Sequence, residues 1–262
     1  MTKRIELRRV LAIGGSDSDG GAGIQRVFTA ITAQNRMGVQ AVKPVHLNMF
    51  RAQISSVCSD IPLHAVKLGM LYDGARVRTV TDAILEYKLE NVVCDPVIVS
   101  TSGTVLLDQG GAESLVAAFP FFALLTPNAL EATALTGRRI ETQSDLVTAG
   151  YALLDLGARA ILMKGGHLDG NESTDVLLRR EHSGLMYFSF PRIRTSNDHG
   201  TGCALATSIA SGLAKGFDLP TAIAIGRDFV QAALRQSTHL RNGSGRGSMD
   251  LVSESVLPGE LA

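Results

Sequence analysis

Asn91-Val92-Val93-Cys94-Asp95-Pro96-Val97-Ile98-Val99 is the stretch whose reading decides the fold. Its apolar residues run continuously rather than alternating, as expected of a strand buried on both faces of a parallel sheet. Four other runs share the pattern: Val10-Leu11-Ala12-Ile13 before Gly14-Gly15, Ala65-Val66-Lys67-Leu68-Gly69-Met70-Leu71, Ala123-Leu124-Leu125-Thr126-Pro127-Asn128, and Ala160-Ile161-Leu162-Met163-Lys164-Gly165-Gly166-His167. Between them the sequence predicts helices over 50–59, 74–87, 111–118, 130–136 and 144–156. Strand and helix alternate, so the class is α/β, with a mostly parallel sheet and helices on both of its sides. Met186-Tyr187-Phe188-Ser189-Phe190 alternates and predicts a strand nearer the sheet edge. Closing helices are predicted over 202–215 and 220–238, and residues 241–262 show little pattern. With no repeat, linker or composition break, one domain over 1–262 is expected.

Bulk properties narrow the partners. At 262 residues and 45% hydrophobic, the chain can bury the core of a full α/β domain. Lys plus Arg and Asp plus Glu each number 25, and no basic run stands out, so neither nucleic acid nor a membrane surface is expected. Cys58, Cys94 and Cys203 are scattered without CxxC spacing, which fits a reducing, cytoplasmic setting and not a zinc site or disulfide framework. The first nine residues are too charged for a signal peptide, and no run approaches the roughly 18 apolar residues of a membrane span. A small molecule is the expected partner, and a homodimer is compatible with this composition.

Loops at the carboxyl ends of parallel strands form the usual ligand crevice. The first, Gly14-Gly15-Ser16-Asp17-Ser18-Asp19-Gly20-Gly21-Ala22-Gly23-Ile24-Gln25, is neither GxGxxG nor GxxxxGK[ST]. Its glycine, serine and aspartate suit a backbone that closes over a small polar ligand. Asn128-Ala129-Leu130-Glu131 sits where a strand passes into a helix; N-x-x-E is a capping pattern, and the functional alternative is magnesium and phosphate ordering by Glu131. Asp95 is a second carboxylate placed for the same metal. Lys164, again at a strand end, can meet a nucleotide phosphate as a point charge or lie solvated. Asn197-Asp198-His199-Gly200-Thr201-Gly202-Cys203 then runs into an alanine-rich helix opening at Thr201 or Gly202. Unpaired N–H groups at a helix start suit a phosphate or the charge that develops in its transfer. Cys203 lies in that first turn, where thiols are activated. The alternative is a helix that happens to follow a glycine turn, with Cys203 as a small buried hydrophobe. Together, four such strand-end or helix-start segments point to a phosphotransferase.

In one order the chain carries G-S-D-x-x-G-G-A-G-I-Q, T-A-I-T-A-Q-N, K-L-G-M-L, D-P-V-I-V, T-P-N-x-x-E, M-K-G-G-H and H-G-T-G-C. From about residue 10 to 239 it resembles the hydroxymethylpyrimidine/phosphomethylpyrimidine kinases of thiamine biosynthesis, within the ribokinase-like superfamily. The resemblance implies a three-layer α/β/α sandwich and ATP- and magnesium-dependent phosphorylation of an aminopyrimidine's hydroxymethyl group, then of its monophosphate. Some pyridoxal kinases share much of this pattern, so pyridoxal kinase is the alternative activity. By motif, Gly15 and Gln34 would contact the pyrimidine, with Met70 and Val97 walling its pocket. Asn128 and Glu131 would organise magnesium and phosphate, joined by Asp95 from the strand-end reading above; Lys164 would hold ATP phosphates, with Thr201 and Asn128 as further phosphate contacts. Gly200, Thr201 and Gly202 would form the anion hole. Cys203 stands where many sugar kinases of the superfamily carry an Asp base, and helix-terminal N–H groups offer the activation a thiol needs.

Three departures accompany the resemblance. Between Gln25 and Thr29 only Arg26-Val27-Phe28 remain, where the family has a full helix and the start of a strand. Three residues cannot replace helical turns at about 1.5 Å per residue, and a parallel neighbour without its crossover helix is expected to be sterically difficult. Either residues are missing from the sequence or one pocket wall is, which adds a catalytically impaired vitamer-binding homologue to the alternatives. Thr101 and Thr104 replace a common Lys and Asp. Residues 241–247 match the family ending only in part.

Overall fold

The structure, a computed structural model, describes residues 8–16, 27–35, 38–100, 103–166, 168–240 and 247–251. In chain order the strands are β1 (Val10–Ser16), β2 (Val27–Asn35), β3 (Gly38–Pro44), β4 (Ala65–Leu68), β5 (Val92–Cys94), β6 (Leu124–Leu125), β7 (Ala160–Met163), β8 (Glu172–Arg179) and β9 (His182–Pro191). The helices are α1 (Leu47–Cys58), α2 (Gly74–Glu86), α3 (Gln109–Ala118), α4 (Ala129–Thr136), α5 (Gln143–Asp155), α6 (Thr201–Ala214) and α7 (Leu219–Ser237).

One sheet runs through all nine strands in the order β3-β2-β1-β4-β5-β6-β7-β8-β9. The central six pair in parallel, and β3, β8 and β9 are antiparallel at the two ends. The apolar runs became strands because both faces are covered. Leu11, Val66, Leu68, Val92, Leu125 and Ile161 point into a core filled by Phe50, Val77, Leu115, Leu146 and Leu153 from α1, α2, α3 and α5. Ala65, Val93, Leu124 and Leu162 face the opposite core, with Leu205 and Ile209 of α6 and Ile223 and Val230 of α7. Each such aliphatic side chain contributes about 1.5–3 kcal/mol when fully buried. Capping sets the helix starts: Asp73, Asp108 and Asp218 accept the N–H groups of Arg76, Gly111 and Thr221.

All six expected strands and all seven expected helices are present, with ends shifted by a few residues. β5 stops at Cys94, so Val97 lies beyond it rather than inside a strand. Strands β2, β3 and β8 were not legible as strands. β8 opens on the polar run Glu172-Ser173-Thr174-Asp175, which hides its apolar half.

The short interval after Gln25 does not prevent a parallel neighbour, contrary to the steric expectation. β2 begins at Val27 and pairs in parallel with β1, Ile13 opposite Val27 and Gly14 opposite Phe28. The return from the level of Ser16 to that of Ile13 is about 10 Å along the strand, and ten residues reach at least 33 Å extended, roughly. Residues 17–26, which make this passage and hold most of the glycine-rich loop, lie outside the described residues. β2 is fastened by side chains. Thr29 Oγ1 donates to the Met70 carbonyl at 2.8 Å, and Arg76 Nε donates to the Thr29 carbonyl at 3.1 Å. Gln53 of α1 bonds both the N–H and the carbonyl of Phe28.

Candidate active site

The carboxyl ends of β5, β6 and β7 bring three charged side chains together. Asp95 follows β5 directly, its N–H donating to the Leu68 carbonyl at 2.9 Å. Asp95 Oδ1 accepts Lys164 Nζ at 2.7 Å and Thr126 Oγ1 at 3.2 Å. Lys164 Nζ is also 3.8 Å from Glu131 Oε2. Burial by itself would raise the Asp95 carboxyl, but Lys164 and then Lys67 outweigh it and hold it below the usual carboxylate range. Burial dominates at Glu131, pushing its carboxyl up to about 7 although Lys164 opposes the shift. Lys164 is held above the usual lysine range: burial disfavours its charge, and Asp95 and Glu131 more than offset that.

Asn128 and Glu131 form a complete capping box. Asn128 Oδ1 accepts the Glu131 N–H at 2.9 Å, and Glu131 Oε2 accepts the Asn128 N–H at 2.8 Å. The cap and the placement of Glu131 beside Lys164 are thus one feature. Among the described residues no three His, Cys, Asp or Glu side chains converge as a metal cage.

Over this cluster stands the start of α6. Gly200 caps it with φ +89°, a left-handed conformation that glycine adopts without strain, and no side chain caps the helix. The N–H groups of Gly202 and Cys203 therefore have no acceptor within the helix. A Cβ on Gly202 would come within 3.2 Å of both Asp95 Oδ2 and Lys164 Nζ, so the glycine allows the helix end to sit against the ion pair. Cys203 is half-buried, and its Sγ accepts Lys67 Nζ at 3.5 Å.

Of the expected pocket residues, Gly15, Met70 and Val97 come together beyond or at the ends of β1, β4 and β5. A Cβ on Gly15 would lie 3.0 Å from Met70 Sδ. Met70 packs with Ala30 and Leu106, and Val97, Val39, Val42 and Tyr72 close the group. Gln34 lies on β2 opposite Val39; its side chain lies outside the described residues, as do Thr101 and His167. The Thr104 N–H donates to Ser100 Oγ at 2.9 Å.

Three buried residues of this region were not singled out from sequence. Lys67 interrupts the apolar run of β4, and that interruption was its signal. Asp175 of β8 accepts the Gly165 N–H at 2.9 Å, next to Lys164, and its Oδ2 lies 3.2 Å from Arg227 Nε of α7. That last contact is an ion pair without hydrogen-bond alignment. Arg227 Nη2 donates to Ser173 Oγ, and its guanidinium stacks 4.9 Å from the Phe190 ring centre. Arg227 occupies the apolar side of α7 with Ile223 and Val230, spaced i, i+4, i+7.

A mostly parallel sheet covered on both faces, with a glycine-led helix start set against a lysine–carboxylate pair at the strand ends, defines a ribokinase-like kinase. The family model described as phosphomethylpyrimidine kinase matches residues 17–250, and the chain belongs to that family. It is 40% identical over 253 residues to the hydroxymethylpyrimidine/phosphomethylpyrimidine kinase of Rhizobium meliloti, covering 90% of this chain and 94% of the relative. The Escherichia coli enzyme of that name is 36% identical with the same coverage. Among solved structures, the phosphomethylpyrimidine kinase of Clostridium difficile superposes with a TM-score of 0.74 at 34% identity, over 86% of this chain and 98% of that one. A Bacillus subtilis pyridoxal kinase in complex with ADP superposes at 0.84 with 30% identity, over 93% and 97%. Among the described residues, no helix is long and apolar enough to cross a membrane.

Proposed function

We propose that this protein uses ATP and magnesium to phosphorylate 4-amino-5-hydroxymethyl-2-methylpyrimidine and then its monophosphate, in thiamine biosynthesis. The observation that carries the reading is Gly202, whose missing side chain lets the uncapped start of α6 sit against the Asp95–Lys164 pair. Family membership and the names of the relatives support the substrate. A single kinase domain over 1–262 is part of the reading, supported by one sheet that includes every described strand.

The pyrimidine rests among Gly15, Gln34, Met70 and Val97, with its hydroxymethyl group towards Cys203. Lys164, Asn128 and Thr201 hold ATP phosphates. The N–H groups of residues 200–203 neutralise the oxygens of the migrating phosphoryl group, where positioning and charge balance supply most of the catalysis. Cys203 takes the hydroxyl proton. Asp95 and Glu131 fit magnesium: each has one oxygen engaged by Lys164 or the Asn128 N–H and keeps another, and this ion asks for one or two protein carboxylates. When bound, magnesium neutralises phosphate charge.

The second reading, pyridoxal kinase, is favoured by the higher TM-score of 0.84. Incubating the purified protein with ATP, magnesium and each vitamer side by side tests both. Mono- and then diphosphorylated pyrimidine by mass spectrometry is expected. Faster turnover of pyridoxal would replace the first reading by the second; product from neither, with tight binding of one, would leave an impaired vitamer-binding homologue. A cytoplasmic location, which the three unbridged cysteines favour, and a homodimeric state complete the proposal; cell fractionation and sedimentation measure them.

A further inference from the structure

Lys67 is a lysine where the fold leaves almost no room for one. It sits in the middle of β4, only 2% exposed, on the sheet face covered by α6. Burying an unpaired ammonium is costly, so its surroundings must stabilise the charge. They do so in two ways. The ammonium reaches past the strand end, where Gly69 makes space: a Cβ on Gly69 would lie 2.6 Å from Nζ. From that position Nζ donates to Cys203 Sγ at 3.5 Å. Burial opposes the charge, but Cys203 first and then Asp95 more than offset it and hold the lysine above its ordinary range. Sulfur is a weak acceptor as a thiol and a strong one as a thiolate, so the pairing is most favourable when the sulfur carries the charge.

We propose that Lys67 is a positioning residue of the reaction, its ammonium holding the Cys203 sulfur at the head of α6 and placing a cation beside it to stabilise the thiolate form that takes the substrate's proton. In the step, the sulfur accepts the proton of the hydroxymethyl oxygen. That oxygen forms its bond to the terminal phosphorus of ATP as the bond from phosphorus to the bridging oxygen breaks, and the electron pair leaves with ADP. The sulfur's proton then passes to solvent. Lys67 from β4 meets the sulfur in a hydrogen bond, and Lys164 after β7 is a second cation acting on it; Asp95 after β5 lies against Gly202, the preceding residue, and Asp95 and the buried Cys94 both act on Lys67. The catalytic part rests on the kinase reading, whereas the Lys67–Cys203 pairing does not.

The test is site-resolved alkylation by iodoacetamide across a pH series, read by peptide mass spectrometry, with half-buried Cys58 as the internal reference. Lys67→Met is expected to slow modification of Cys203 by about tenfold at neutral pH and to move its rate–pH curve upward, leaving Cys58 unchanged. Lys67→Arg keeps a cation and is expected to restore most of the rate. If Lys67→Met does not fold, Gly69→Ala decides, because its methyl group displaces Nζ from the sulfur while keeping the charge in the protein; it too is expected to slow Cys203. In turnover assays, Lys67→Met is expected to lower kcat, shift its pH profile upward and leave both KM values within about twofold. Wild-type alkylation rates at Cys203 in folded Lys67→Met, or in Gly69→Ala where that variant decides, would overturn the proposal. Loss of the kinase reading shows separately, as a wild-type protein that phosphorylates neither vitamer.

Discussion

Asp95 and Lys164, 69 residues apart in the chain, meet at 2.7 Å between Oδ1 and Nζ. Both side chains are largely out of water, 4% and 13% exposed, so neither charge is stable there without the other. A buried pair adds less to stability than its contact distance suggests, because desolvation consumes much of the attraction. Its effect here is to lock the end of β5 to the end of β7, beside the start of α6.

Lys164→Met breaks that lock and leaves Asp95 charged and unpaired. The variant is expected to lose about 3–5 kcal/mol of stability in chemical denaturation and to show a raised KM for ATP. Adding Asp95→Asn is expected to recover part of the stability and none of the ATP affinity.

Cys203→Ala is expected to lower kcat by about 10²-fold or more while both KM values change little, since a proton acceptor contributes to the transition state. Steady-state kinetics with each substrate varied checks this. Equal losses in kcat and affinity would mean that Cys203 mainly shapes the pocket.

Asn128→Ala removes one half of the capping box. A loss of about 1 kcal/mol is expected from the unpaired Glu131 N–H, together with a higher magnesium concentration for half-maximal activity. Unchanged magnesium kinetics would leave Asn128 as a cap alone.

Glu131 makes stability depend on pH. From about 4.5 to about 7 the folded chain keeps a proton that the unfolded chain has released. Its contribution is therefore largest at low pH and falls as pH rises through that window. Without magnesium, Tm is expected to decline across this range, and Glu131→Gln is expected to flatten the decline, as thermal melts in EDTA will show.

Gly165→Ala is expected to be severe. Its Cβ would fall 2.0 Å from the Thr174 carbonyl oxygen, backbone that cannot swing aside. Overpacking of this kind costs about 1–3 kcal/mol or more, and it would also disturb the Gly165 N–H bond to Asp175. A lowered Tm with a raised KM for ATP is the expected pairing, since Lys164 is the adjoining residue.

The sequence by itself determined the layers. Runs such as residues 160–163 are continuous because both faces are covered, and burial of that kind is written into local composition. It also placed the glycine turn before α6, the capping pair Asn128 and Glu131, and the strand-end positions of Asp95 and Lys164, each of which is a property of a few neighbouring residues. It did not reveal β2 and β3, whose pairing in this shortened segment depends on contacts with β1, α1 and α2. Only the tertiary structure decided what Lys67, Asp175 and Arg227 pair with. Lys67 reads as an odd charge in an apolar strand until α6 brings Cys203, 136 residues away, to its ammonium. Periodicity reports which face of an element is buried, but the partner of a buried charge is chosen by packing between elements.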